Sequence, residues 1–217
     1  INGTNITKDT LIAKIDARDA EIALENARIA YEKLVKPADK STLLQSASNL
    51  NDALATNKKS YEDAFNAITN SLVDFPAIVN GINSMLYDRT GYLESENVRS
   101  VGVIAIDYRN KAGLSFDKAK RRYDLFQTQY KTLSRNDATT TVESFVNDAY
   151  LLARDISEAV KNTQNTVEYI RKQKNDSTGD TPASNLTSWT STINSNLTDL
   201  LNAKTLILSS IQDIEQR

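Results

Sequence analysis

Residues 112–133 read AGLSFDKAKRRYDLFQTQYKTL, and the positions Ala112, Phe116, Ala119, Tyr123, Phe126, Tyr130 and Leu133 recur at alternating spacings of 4 and 3. Those spacings keep side chains in one narrow line along an α-helix, because seven residues make nearly two turns. A strand would need a period of two, which this stretch lacks. It therefore reads as a long helix with an aromatic seam.

The same pattern recurs on either side. Val142, Val146, Ala149, Ala153, Ile156, Val160, Thr163, Val167 and Ile170 form one stripe. Asp137 or Thr139 is a candidate cap before it, and 171–174 supplies cations that suit a helix C-terminus. After a polar loop at 175–185 comes a last helix beginning near Pro182. Its stripe is Leu186, Thr190, Ile193, Leu197, Leu200, Lys204, Ile207, Ile211 and Ile214, with Trp189 beside it.

Upstream, Ala20, Leu24, Ala27, Tyr31 and Leu34 mark a helix that Pro37 ends. Leu43, Ala47, Leu50, Leu54, Asn57, Tyr61, Ala64 and Ile68 mark a second, capped by Asp39 or Ser41. Phe75-Pro76 reads as its stop, followed by a short amphipathic helix carrying Ile78, Ile82, Met85 and Leu86. Residues 87–107 read as an irregular connection and, with the outward helix faces, as the expected contact surface. Residues 1–16, with Ile1, Thr4, Ile6 and Thr7 and then alternating Leu11, Ala13 and Ile15, read as two short strands.

Narrow apolar stripes on long helices are buried by packing on one another. The expected fold is all-α, an elongated antiparallel bundle or set of coiled-coil hairpins of four to five helices with a β vestige at the N-terminus. Only 6 Gly and 3 Pro in 217 residues argue against an all-β fold rich in tight turns. No apolar run, 103–106 among them, approaches the ~20 residues that span a bilayer. A start at Ile1 is read as an excised fragment, with any signal peptide or anchor outside it.

Composition narrows the chemistry. The chain has no Cys, which removes disulfides, thiolate metal sites and cysteine nucleophiles. It also has no His, the usual proton-transfer group near neutral pH. A net charge of −2 disfavours nucleic acid as a partner. Lys118, Lys120, Arg121 and Arg122 are the densest basic cluster, but Asp117 and Asp124 flank them on what reads as a solvated face. Asp19, Glu21 and Glu25, or Asp148 and Asp155, can share a helical face without any motif that makes them converge on a metal. No catalytic, cofactor or metal site is assigned. Asn2, Asn5, Asn175, Asn185 and Asn196 open Asn-x-Ser/Thr triplets that so Asn- and Thr-rich a chain also produces by chance.

The stretch 5–16, NITKDTLIAKID, followed by DAEIALENA at 19–27, resembles the junction in membrane fusion proteins where half of a lipoyl-like β-domain leads into an Ala-rich α-hairpin. Lys8 stands where that β-turn usually has Gly. The later helices are similar to the enlarged helical insert of haemolysin-D-like secretion proteins. The resemblance implies 1–16 as a partial β segment and 17–217 as a helical hairpin domain. It also implies a non-catalytic periplasmic adaptor of an efflux or type I secretion assembly, anchored at the cell envelope and contacting a transporter such as an ABC transporter, with oligomers as the general state of such adaptors. Two alternatives stand beside it, an extracytoplasmic four-helix sensory domain that binds a small molecule, and a surface coiled-coil adhesin.

Overall fold

The computed structural model describes residues 3, 7–9, 11, 13, 14, 16–37, 39–135, 137–175 and 177–217. Its elements are α1 (Arg18–Val35), α2 (Lys40–Tyr87), α3 (Ser95–Arg99), α4 (Val103–Tyr130), α5 (Thr139–Lys174) and α6 (Asp180–Glu215). The chain divides into two compact units, Ile1–Ala47 and Ser48–Arg217.

In the first unit the strand reading of 1–16 falls largely on residues outside those described. Among the described ones there is no strand, and Lys8 and Asp9 form a turn. Helix α1 takes the expected bounds, but its stripe is not covered: Leu24 is 72% and Leu34 86% exposed, and no residue of the helix is buried. Leu43 and Leu44, in the first turns of α2, are exposed as well.

The second unit is a four-helix bundle of α2, α4, α5 and α6, and the aromatic seam decides its centre. Ala112, Phe116, Ala119, Tyr123 and Phe126 are all buried, as is every position of the α5 stripe from Val142 to Ile170. Phe126 meets Phe145 edge-on at 5.8 Å between ring centres, and Tyr108 packs on Tyr169 at 5.2 Å. These pairs run α4 and α5 antiparallel. Asn57 Nδ2 donates to Ser210 Oγ at 3.0 Å and Asn196 Nδ2 to Asp74 Oδ2 at 3.1 Å, which runs α2 antiparallel to α6. Thr69 shares a 2.9 Å hydrogen bond with Tyr130, so α2 also flanks α4. The buried threonines of α5 do not strand their hydroxyls: Thr163 and Thr166 donate to the carbonyls of Ala159 and Asn162 at 2.8 Å.

Three expectations are corrected. Leu50 and Leu54 are exposed, and the core-facing line of α2 begins in earnest at Ala53, Ser60 and Ala64. Phe75-Pro76 does not stop the helix, which runs unbroken from Lys40 to Tyr87. A proline inside a helix lacks one donor and costs about 3 kcal/mol relative to alanine. Here Ser71, Phe75, Ile78, Val79 and Ile82 continue the buried face across it, and their burial outweighs that local cost. Pro76→Ala is accordingly expected to stabilise the bundle by about 1–2 kcal/mol after allowing for the freer unfolded chain. A urea midpoint that fell instead would mean that the proline ring contributes packing that alanine does not replace. Third, 87–107 is not irregular: it holds α3 and the first turn of α4, with Leu93, Val98 and Ala105 fully buried.

Candidate docking surface

The basic cluster of α4 is resolved by the fold. Asp155 of α5 is only 2% exposed, and its two oxygens are taken separately, Oδ1 by Lys118 Nζ at 2.9 Å and Oδ2 by Arg122 Nε at 2.7 Å. Lys118 also lies 3.7 Å from Glu158. Burial alone would push the Asp155 carboxyl up, but the hydrogen bonds from Lys118 and Arg122 outweigh it and hold the pKa below the ordinary value. Lys120 pairs with Asp124 one turn on at 2.6 Å. Two of the four cations are thus spent inside the α4–α5 contact and a third on its own helix. Tyr123 and Phe126, the neighbouring aromatics, lie in the core rather than on a stacking platform.

The other acidic candidates stay apart. Asp19, Glu21 and Glu25 lie exposed on α1, and among the described residues no three acidic side chains converge on one point. Of the Asn-x-Ser/Thr triplets, Asn2 and Asn5 lie outside the described residues. Asn196 of α6 is buried and donates to Asp74 of α2, and Asn175 ends α5 in the left-handed region at φ 49°.

What the sequence read as an irregular connection is an end of the bundle fastened by side-chain hydrogen bonds. Glu94 caps α3 by accepting from the amides of Glu96 at 2.8 Å and Asn97 at 3.4 Å. Asn97 Nδ2 donates to the Tyr92 carbonyl at 2.8 Å, and its Oδ1 accepts from Lys174 at the end of α5. Arg109 reaches back from α4 with Nε on the Leu93 carbonyl at 2.8 Å and Nη2 on the Leu86 carbonyl at 2.9 Å. Leu93 N donates to the Met85 carbonyl at 2.9 Å. On this fixed base Val103, Ile104 and Tyr108 stand out, exposed by 73%, 57% and 38%. Val103 and Ile104 form a rim of α4 that is left largely uncovered, and Tyr108 borders it with one side of its ring on Tyr169 of α5.

Beside it, α2, the turn at 88–91 and the start of α6 line an open groove of about 570 Å³. Its wall includes Trp189, the only tryptophan of the chain, with Asp88 as its one charged side chain. The indole sits where a side chain at Gly81 would be, since a Cβ there would come within 2.1 Å of it. At the opposite end Tyr61 donates to Glu143, and burial together with that carboxylate pushes its pKa up to about 12. No protein-family model, curated protein or solved structure matches the chain.

Proposed function

We propose that the chain is the helical part of a non-catalytic, membrane-fusion-protein-like adaptor at the cell envelope, a spacer and docking element between a membrane transporter and envelope partners in efflux or type I secretion. The observation that carries this reading is the fastened bundle end, where a hydrogen-bonded base presents the exposed apolar side chains Val103 and Ile104. A docking element needs a patch whose backbone is already ordered, because ordering it on contact would subtract from affinity. The junction resemblance at 5–27 supplies the family and the partner class.

The test is site-specific photo-crosslinking in the source cells from Val103 and Ile104, with Leu125, 66% exposed near the far, C-terminal end of α4, as the control. Adducts to a membrane transporter subunit from 103 and 104 but not 125 are the expected result. Equal labelling at all three positions, or none at 103 and 104, rejects it.

The Trp189 groove favours the sensory reading as the second choice, since ligand sites in bundles lie between helices. Its mark would be a saturable change in emission of that single tryptophan with one small molecule of a panel.

A further inference from the structure

Helix α1 presents a thermodynamic problem. Helices in proteins draw most of their stability from packing an apolar face, and α1 has no buried residue. Its uncovered side is nevertheless patterned for a helical partner. Ala20, Leu24, Ala27, Tyr31 and Leu34 keep strict coiled-coil spacing, and Ala23 and Ala30 flank that line with side chains small enough for close approach.

The charges say which partner. The first half of α1 carries Asp19, Glu21 and Glu25 against the single cation Arg18, which is spent on Asp16 at 2.5 Å. The second half and the residue after it carry Arg28, Lys33 and Lys36 against Glu32, which Arg28 meets at 3.0 Å on the exposed face, a surface pair that a second carboxylate can join or replace at little cost. A helix acidic in one half and basic in the other complements itself only when reversed. Two such helices side by side in the same direction would instead set acid on acid and base on base. We therefore propose that α1 pairs antiparallel with α1 of a second copy of this chain.

One register satisfies the positions from Ala20 to Tyr31 at once, with Leu34 reaching the partner's helix start. With Leu24 opposite the partner's Ala27, Ala20 falls opposite the partner's Tyr31, so each large side chain meets a small one. The flanking line then sets Glu21 beside the partner's Arg28, twice by symmetry, and Ala23 beside the partner's Ala30. The chain's own stripe at 43–54 is a poorer match, because residues 40–57 carry only Lys40 and Asp52 to answer the charges of α1. This proposal stands apart from the adaptor reading and survives its failure.

Two helices of ~27 Å bury less than a standard interface, so the expected dimer is a micromolar one. Sedimentation equilibrium of the 24.1 kDa chain should show its mass rising toward twice that value with concentration. Glu21→Arg and Arg28→Glu should each weaken the dimer about tenfold by turning two ion pairs into like-charge contacts. The two combined should restore it, and neither should move the thermal melt of the bundle.

The chain contains no cysteine, so orientation can be read directly. Ala20→Cys chains mixed with Tyr31→Cys chains should form a disulfide-linked dimer on oxidation, and Ala20→Cys alone should not. Linkage of Ala20→Cys with itself would establish a parallel pair and overturn the proposal. So would a monomer up to about 100 µM, the outcome expected if α1 folded back on its own chain. Failure of the charge swap to restore what the single changes lose would overturn it as well.

Discussion

Replacing Lys118 and Arg122 together by alanine should cost the bundle about 3–5 kcal/mol at neutral pH, because it strands a carboxylate that the fold has removed from water. Each cation serves one oxygen of Asp155, at 2.9 and 2.7 Å, and the carboxylate side chain is 2% exposed. Glu158, near Lys118, would then add a like charge rather than relief. Either single replacement should cost less, since one cation remains. The asymmetry is the diagnostic. Lys118 and Arg122 are 50% and 38% exposed, so Asp155→Leu releases two cations that can turn to water, and its cost should be about 1–2 kcal/mol. Changing all three to apolar residues should bring stability back near the parent. A double alanine variant within about 1 kcal/mol of the parent by urea melting would mean that Asp155 is not sequestered.

The pH dependence of Asp155 should reverse between the two proteins. In the parent its folded-state pKa lies below the unfolded one, so its contribution is complete at neutral pH and is lost as acidification passes about pH 4 and continues downward. In the double variant burial acts unopposed and raises the folded-state pKa above the unfolded value. The folded chain then binds the extra proton, and the contribution of Asp155 grows as pH falls from neutral toward about 4. Melts across that interval should diverge in slope, which a general loss of packing would not produce.

This triad was invisible in the sequence for a physical reason. Lys118 and Arg122 share a helix face four residues apart, but their partner lies on another helix. Only the register of α4 on α5 makes the three converge. A usable signal did exist: Asp155 sits between Ala153 and Ile156 of the α5 seam, where an unpaired carboxylate would be costly. The seams themselves were legible because strict 4 and 3 spacing is a statement about one helix, and Phe116, Tyr123, Val146 and Ile156 are buried where it places them. Periodicity names a face without naming its cover, which is why the stripes of α1 and of Leu43 to Leu54 were legible while their exposure was not. At Pro76 the local rule failed against a tertiary term, the buried line running from Ser71 to Ile82.

The connection at 87–107 reads as irregular because much of its order comes from side chains outside it, Lys174 on Asn97 and Arg109 on two carbonyls, and Arg109→Ala should expose that dependence at a cost of about 2–3 kcal/mol. Helix α2 ends with carbonyls that no later turn of its own can satisfy. Arg109 answers one of them, Leu86, and the Leu93 carbonyl beyond the turn, while its guanidinium lies 5.8 Å from the Tyr87 ring centre. One planar fork thus ties the end of α2, the turn and the start of α4 together. Lysine keeps the charge but offers a point donor that cannot span both carbonyls, so Arg109→Lys should recover about half of the loss. Hydrogen exchange separates this from general destabilisation: amides at 88–102 should lose protection while those of the α4–α5 seam keep theirs. Because Val103 and Ile104 stand on this base, Arg109→Ala should also weaken crosslinking from both positions without altering either side chain. Undiminished adducts beside a locally unprotected turn would show that the patch docks without its base, and would remove preorganisation from the adaptor argument.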